Sequence, residues 1–430
     1  MINTCQLGDT LHSIEESQLF AAELLKDLDT GELLANQLDG IQLKVALHLI
    51  HMEVEELCGA AYQHDQVHEG CYKRWGTNPG SVKIRGERTP IKVPRVRNTE
   101  ANKEQPLQTY KWLRKLSRKQ QERLSESILL GISQRNYHRV IRQYTEEGAG
   151  LSKSSINRYF VEYSQQELED FRTRRLDGET YVALILDGKS QQEEQIIICV
   201  GITATGEKDI LDFVQTTTEH ANAVEGLLQD VLDRGLRYEQ GLLVILDGTK
   251  GLRKAVNQVF GAYAQVQRCT WHKQENVAGK IKKSERESAV KSRMNAAYHT
   301  PDYASAKNKL LSLYNDLVEQ GETAAANSLL EGLEDTLTLH KLGVSEELGP
   351  HFRTTNIIEN VNGLIQDRIG RVKRWTNSGQ RQRWVACAIK DCRPRLNKIK
   401  NAEHLPKLQQ ALLNCVNKHQ LKSTSNRFRE

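Results

Sequence analysis

Two aspartates, Asp187 and Asp247, occupy matching places in two similar stretches of the chain. Each follows an apolar run of strand length, 181–186 and 241–246, and each precedes a glycine. If the two strands are neighbours, the two carboxylates meet at one edge of a sheet. Close carboxylates repel each other unless a cation or a shared proton offsets their charge, so the pattern indicates a divalent metal site. Asp-Gly after a strand is also an ordinary turn, and a third ligand is needed to decide between the two interpretations.

The elements around these aspartates predict a domain of the α/β class. Strands are expected at 181–186, 195–202, 208–214, 241–246 and 264–269, with helices at 219–235 and 250–260. Three consecutive strands followed by alternation with helices indicate a mixed sheet. This order matches an RNase H-like core, in which the first and fourth strands are adjacent. That adjacency would bring Asp187 and Asp247 together.

The chain contains further short motifs, and their order along the sequence is characteristic of one protein family. Besides Leu186-Asp-Gly they are Gly201-Ile-Thr-Ala-Thr-Gly206, Thr218-Glu-His-Ala, Asp233-Arg-Gly-Leu236, Leu246-Asp-Gly-Thr-Lys-Gly-Leu252, Gln267-Arg-Cys-Thr-Trp-His-Lys-Gln-Glu-Asn276 and Thr354-Thr-Asn-Ile-Ile-Glu-Asn-Val-Asn362. The ordered string resembles the Mutator-type transposases of bacterial insertion sequences, over roughly residues 70–395. It is far more specific than any one of its members.

The resemblance implies a DDE transposase whose catalytic and metal-binding residues are Asp187, Asp247 and Glu359. It also implies an all-helical insertion before the glutamate, and helices are predicted there at 289–298, 304–319 and 323–339. Three carboxylates suit Mg²⁺ or Mn²⁺, and two such ions about 3.5–4 Å apart can activate an attacking oxygen and stabilise the leaving one. From the residues alone, Glu359 could equally complete a capping box that begins at Asn356.

Three basic segments are candidates for DNA binding. A hairpin over residues 80–97, turning near Gly86-Glu87, would place Val82, Ile84, Ile91 and Val93 on one face and cations on the other. Two helices at 134–144 and 153–163 resemble a helix-turn-helix unit. A third segment, 368–384, mixes cations with tryptophans. The alternatives are a solvated hairpin face, an ordinary helix pair and a helix with tryptophans in the core. The candidate residues are Lys83, Arg85, Arg135, Arg139, Lys153, Asn157, Arg158, Arg371, Lys373, Arg374 and Trp375.

Two groups of cysteine and histidine are candidates for other roles. Cys269 and His272 form the C-x-x-H motif of the Mutator-type family, for which the sequence supplies no chemical role; half of a zinc site is the alternative to structural or DNA-proximal use. Cys58, His64, His68 and Cys71 have zinc-ligand types, although isolated histidines on helices are usually surface or core residues.

Composition limits the remaining possibilities. The 430 residues contain no apolar stretch of the roughly 20 residues that span a bilayer. We therefore expect a cytoplasmic, nucleoid-associated protein with reduced thiols. The net charge is +5, yet residues 1–70 carry 13 acidic and two basic side chains, whereas residues 366–430 carry 16 basic and four acidic ones. This asymmetry points to a polyanionic partner for the basic parts.

The expected domain plan has six parts. An acidic helical region (1–70, with Gly40 as a break) precedes a basic hairpin segment (71–105) and a helical DNA-binding domain (106–175). The catalytic core (176–280 and 351–395) encloses the insertion (281–350), and a basic tail (396–430) follows. The expected function is cleavage of terminal inverted repeats and strand transfer, by a dimer or larger assembly on double-stranded DNA. The alternatives are a catalytically silent DNA-binding regulator and a structure-selective nuclease on the same core.

Overall fold

The computed structural model describes residues 33–61, 71–84, 87–114, 118–132, 153–191, 194–216, 221–282, 284–372 and 374–427. The chain divides into two compact units, Met1–Tyr163 and Ser164–Glu430. It is a mixed α/β protein, as the sequence predicts. No helix among the described residues is long and apolar enough to cross a membrane.

The first unit is a hairpin packed on a long helix. Its elements are α1 (Leu33–Cys58), β1 (Tyr72–Ile84), β2 (Glu87–Asn98), β3 (Lys103–Gln105), α2 (Gln108–Leu113) and α3 (Arg118–Leu129), and α4 (Lys153–Thr173) spans the division. β1 and β2 are antiparallel with Ile84 opposite Glu87, which confirms the predicted hairpin; residues 85 and 86, between the two strands, lie outside the described residues. The apolar side chains of the hairpin are buried against α1, among them Val82, Ile84, Ile91 and Val93.

The helices of this unit differ from the predicted ones in two places. Gly40 does not break a helix, because α1 runs through it. Glycine costs a helix about 1 kcal/mol, which the packing of Ile50 and Val54 against the hairpin offsets. The predicted helix at 134–144 lies outside the described residues. The predicted helix at 153–163 begins at Lys153 as expected but continues to Thr173.

The second unit is built on a five-stranded sheet. Its strands are β4 (Tyr181–Gln191), β5 (Glu194–Thr203), β6 (Lys208–Thr216), β7 (Leu242–Leu246) and β8 (Ala264–Arg268), in the order β6-β5-β4-β7-β8. β4 pairs antiparallel with β5 and parallel with β7, with Leu186 beside Leu246. The predicted adjacency of the first and fourth strands is therefore confirmed.

Helices cover both faces of the sheet, which explains why its strands are apolar throughout. On one face, Leu184 and Leu186 pack with α5 (Ala221–Asp233) and α6 (Lys250–Phe260). On the other, Ala183 and Ile185 pack with α14 (Asn356–Ile369), α15 (Ser378–Cys392) and α16 (Leu405–Arg427). Successive side chains of β4 thus point to opposite faces and pack with different helices.

A helical segment separates β8 from α14. It contains α7 (Thr270–Ala278), α8 (Glu287–Tyr298), α9 (Tyr303–Glu319), α10 (Thr323–Leu330), α11 (Leu333–Thr336), α12 (Thr338–Lys341) and α13 (Ser345–Phe352). The predicted single helix at 323–339 is wrong, because Gly332 interrupts it with a φ of 62°. α7 to α11 enclose an apolar core of their own.

Two buried cations bind the carboxyl end of α10, one from the sheet and one from α7. Arg268, at the end of β8, donates to the carbonyl of Glu331 (3.2 Å). The fully buried ammonium of Lys273 donates to the carbonyls of Ser328 and Glu331. These carbonyls lie at the carboxyl end of α10, where helix carbonyls lack intrahelical partners and cations are favourable.

Candidate active site and cationic groove

Asp187 lies inside a strand, contrary to the prediction that its strand ends there. β4 continues past its parallel neighbour β7, and Asp187 faces Ile198 of β5 across an antiparallel pair. Its side chain is 8% exposed, and one carboxylate oxygen accepts from the amide of Gly188 (3.0 Å). Asp187 and Gly188 therefore do not form a turn, and the need for a turn does not explain the aspartate at this position. A buried aspartate within a paired strand indicates a role for the carboxylate itself.

Asp247 follows the end of β7, next to Asp187 in the adjacent strand. Its oxygen accepts from the amide of Thr249 (2.9 Å), and Gly248 has a φ of 98°. Here the Asp-Gly pair does form a turn, which only glycine adopts without strain. The turn uses one carboxylate oxygen of Asp247, and the second oxygen makes no hydrogen bond among the described residues. The turn and the metal-ligand interpretation are thus compatible.

Glu359 lies in the first turn of α14, with its side chain exposed. The capping-box alternative is not observed: Asn356 is the first helical residue, and the cap residue Thr355 makes no capping hydrogen bond with its side chain. Instead the buried Thr355 hydroxyl lies 3.4 Å from a carboxylate oxygen of Glu359 and can donate to it. Sequence reasoning missed Thr355, although its position one helical turn before Glu359 is the signal for such a contact.

Electrostatics show that the three carboxylates share one neighbourhood. Burial raises the pKa of Asp187 to about 6, and repulsion from Asp247 and Glu359 acts in the same direction. His272 opposes this rise as a nearby cation. Asp247, in the turn after β7, and Glu359, on α14, therefore both lie close enough to Asp187 of β4 to act on its charge.

Cys269 and His272 border this neighbourhood. The hydrogen bond with Cys269 raises the pKa of His272 to about 9, and Asp187 and Asp247 act in the same direction. Burial would raise the pKa of Cys269, yet His272 and Thr355 hold it below its ordinary value. The Thr355 hydroxyl lies 3.6 Å from the Cys269 sulfur, and the Cys269 amide donates to the carbonyl of Leu246 (2.8 Å). Cys269 thus connects the strand before Asp247 with the helix that bears Glu359.

Within the described part of the chain, no three acidic, cysteine or histidine side chains are close enough to one point to hold a metal ion. The carboxylates are therefore near one another without being at ligand distance. Their chemistry still suits a hard divalent cation, since all three offer oxygen and Asp187 is buried next to a second negative charge. For the other cysteine and histidine group, Cys58 and Cys71 are half-buried, whereas His64 and His68 lie outside the described residues.

The first unit contains a groove of about 630 Å³ lined by cations and aromatic rings. The Lys83 ammonium lies 4.8 Å from the ring centre of Tyr159, and the Arg158 guanidinium 5.4 Å from the same ring. Trp112 at the groove is 68% exposed. Cations outnumber acids among the described residues that line the groove. Glu162 is the only acidic one there, whereas the basic ones are Lys83, Arg88, Lys111, Arg114 and Arg158.

The remaining candidates for DNA contact are only partly brought together. Lys153 and Asn157 are exposed on α4, as are Arg371 and Arg374 after α14. Trp375 precedes the helix Ser378–Cys392 and is half-buried against Trp384 (ring centres 6.2 Å apart) and the sheet core. Arg85, Arg135, Arg139 and Lys373 lie outside the described residues. The sequence missed the exposed Trp112 and the cations Arg88, Lys111 and Arg114, which join the groove only through the fold.

Comparison with known proteins places this geometry in context. A model of the Mutator family of transposases matches residues 14–395. The transposase of insertion sequence element IS6120 from Mycolicibacterium smegmatis is 30% identical over 66% of this chain and 87% of its own length. The transposase of IS1081 from Mycobacterium tuberculosis is 28% identical over 72% of each chain. The transposase of IS256 in transposon Tn4001 from Staphylococcus aureus is 24% identical over 62% of this chain and 68% of its own.

Proposed function

Since the chain belongs to the Mutator family of transposases, we propose that it binds the terminal inverted repeats of its element, cleaves DNA there and joins the freed ends to other DNA. The observation that carries the proposal is that Asp247 and Glu359 both lie near the buried Asp187. The strand order, with β4 flanked by antiparallel β5 and parallel β7, supports an RNase H-like core for this chemistry.

Asp187, Asp247 and Glu359 would hold Mg²⁺ or Mn²⁺ in this proposal. Such ions would lower the pKa of an attacking water or 3′-hydroxyl and offset negative charge on the departing oxygen. The buried position of Asp187 supports this role, because ionising it beside Asp247 is unfavourable until a cation is present. Thr355 would orient the Glu359 carboxylate, and Cys269 with His272 would support the surrounding backbone.

The cationic groove of the first unit supports a DNA-binding role for that unit. Lys83, Arg88, Lys111, Arg114 and Arg158 could neutralise backbone phosphates, and the exposed Trp112 could pack on a sugar or an unpaired base. The proposed partner is double-stranded DNA. A dimer or larger assembly is part of the proposal, because two ends have to be processed together.

The test is cleavage of a labelled duplex that carries the flanking inverted repeat, with Mg²⁺ or Mn²⁺. Wild type and Asp247→Asn are compared at matched DNA occupancy. We expect metal-dependent nicking at the element boundary by the wild type alone. Tight binding without cleavage by either protein would favour a catalytically silent DNA-binding regulator. Cleavage at branched duplexes regardless of end sequence would favour a structure-selective nuclease.

A further inference from the structure

A second cationic cavity lies beside Asp247, on the side of the sheet covered by α6. It measures about 480 Å³. One wall is formed by Leu246 and Gly248, the residues on either side of Asp247, and the opposite wall by Glu331, Gly332 and Asp335 of the helical segment. The cavity therefore adjoins the chain on both sides of Asp247 and belongs to the same unit.

A buried arginine forms the base of this cavity. The Arg268 side chain is 9% exposed and makes an ion pair with Glu331 (3.3 Å). It passes between two glycines with positive φ: a Cβ on Gly248 would lie 2.1 Å from its Nε, and one on Gly332 would lie 2.7 Å from its Nη1. Any larger residue at either place would displace the guanidinium. Its Nε is buried and has no acceptor among the described residues.

The cavity has an excess of positive charge. Arg253 pairs with Asp335 (2.6 Å) and Arg268 with Glu331, which balances both acids of the lining. Lys250 and Lys254 remain, exposed on the first two turns of α6, with no ion pair to an acidic residue in the described ranges. Two uncompensated ammonium groups beside an acidic active site are electrostatically suited to a strand of phosphates that must approach that site.

We propose that this cavity is a phosphate-binding subsite, in which Lys250 and Lys254 hold the DNA backbone next to Asp247. The inference rests on the proposed function, since it names residues that seat the DNA strand at the same active site. Lys250 is the first residue of α6 and lies three residues after Asp247, and the turn between them is held by the Asp247–Thr249 hydrogen bond. A phosphate contact at Lys250 would therefore fix the DNA strand relative to the Asp247 carboxylate. The Arg268 side chain passes between Gly248 and Gly332 and supports the cavity wall there.

The first measurement is the salt dependence of DNA binding by the full chain, with a labelled duplex of arbitrary sequence. Each lost phosphate contact lowers the slope of log K against log salt by about 0.9, so Lys250→Gln/Lys254→Gln should lower it by about 2. The matched control is Lys398→Gln/Lys407→Gln, which removes two exposed lysines that pair with Glu207 and Glu347. It should leave the slope close to that of the wild type. Lys250→Arg/Lys254→Arg should retain the slope as well.

The second measurement locates the contact. Single phosphates of the end duplex are replaced by neutral methylphosphonates, and binding is compared for wild type and Lys250→Gln/Lys254→Gln. At the contacted phosphates, neutralisation should weaken binding of the wild type but not of the variant. An unchanged salt slope together with additive effects at every phosphate would overturn the subsite. Failure of the proposed function would look different, because wild type would then not nick DNA while the salt slope could still change.

Discussion

Asp187 and Asp212 are two buried aspartates of one sheet, 8% and 5% exposed, with opposite surroundings. Asp212, on β6, accepts from the buried guanidinium of Arg234 (2.7 Å), which also donates to the carbonyl of Leu211 (2.8 Å). Asp187, on β4, has two acidic neighbours, Asp247 and Glu359, and no guanidinium partner in the described residues; His272 and the Gly188 amide oppose the rise in its pKa. Burial raises the pKa of both carboxyls, and Arg234 opposes that rise at Asp212.

The difference shows how a structural carboxylate is distinguished from a candidate ligand. A buried charge is tolerated when its partner is built into the fold, as at Asp212. A buried carboxylate beside other carboxylates is unfavourable unless something from outside brings positive charge. Burial alone therefore does not mark a functional acid, whereas burial with like-charged neighbours does. Each of the following experiments alters one side of this contrast.

The largest expected effect is on catalysis. Asp187→Asn keeps the shape of the side chain and removes its charge, so metal-dependent nicking should fall about 1000-fold or more, in line with several kcal/mol of lost transition-state stabilisation. Asp212→Asn is the matched control and should leave the nicking rate of folded protein within a few-fold. Initial rates at saturating Mg²⁺ and matched DNA occupancy measure both. Equal losses in the two variants would remove the distinction.

The next largest expected effect is on stability, and it concerns Asp212 rather than Asp187. Arg234→Met leaves Asp212 buried without its partner, which should cost about 3–5 kcal/mol in the free energy of unfolding. The double variant Asp212→Asn/Arg234→Met should recover part of that loss, because no buried charge remains. Urea unfolding followed by fluorescence measures the change. A double variant as unstable as the single one would show that the contacts of Arg234 with backbone carbonyls dominate.

A smaller, pH-dependent effect is expected at Asp187 without metal. Its folded-state pKa of about 6 lies above the ordinary value of 3.8, so the folded state holds a proton that the unfolded state releases between these pH values. Stability should therefore fall as pH rises through this window. At pH 7, Asp187→Asn should be more stable than wild type by up to about 3 kcal/mol, from 1.36 kcal/mol per pKa unit. The gain should vanish near pH 4.

Thermal unfolding in the presence of chelator, at several pH values, follows this difference. Adding Mg²⁺ should stabilise wild type more than Asp187→Asn, since a ligand that binds only the folded state raises its stability. If Asp187→Asn were less stable than wild type at pH 7, repulsion among the carboxylates would not be the dominant influence.

The smallest effect concerns Thr355. Thr355→Val removes the hydroxyl that lies 3.4 Å from Glu359 while keeping its volume, and Thr355→Ser keeps the hydroxyl. We expect Thr355→Val to need about tenfold more Mg²⁺ for half-maximal nicking, in the range found for groups that orient metal ligands. Thr355→Ser should stay near wild type, and DNA affinity should not change in either. A loss shared equally by both variants would indicate packing rather than orientation.

How far the sequence leads can be judged from particular elements. The sequence predicts α6 at its observed bounds, 250–260, because its apolar positions repeat at helical spacing and a turn precedes it. It predicts the end of β4 too early, at 186, since the strand continues by pairing with β5. Local pattern does not show how long a neighbouring strand is. Gly40 and Gly332 illustrate the same limit, because one glycine lies inside a helix and the other ends one.

The sequence by itself determined which residues can be metal ligands and which two strands lead to Asp187 and Asp247, because residue type and continuous apolar runs are local properties. The tertiary structure alone decided that β4 continues past β7, that Thr355 lies between Cys269 and Glu359, and that Lys250 and Lys254 line a cavity together with Arg268. The separation along the chain reaches 172 positions, from Asp187 to Glu359. Only the packing of the sheet against its helices brings such distant charges together, and their mutual repulsion or pairing then sets the chemistry.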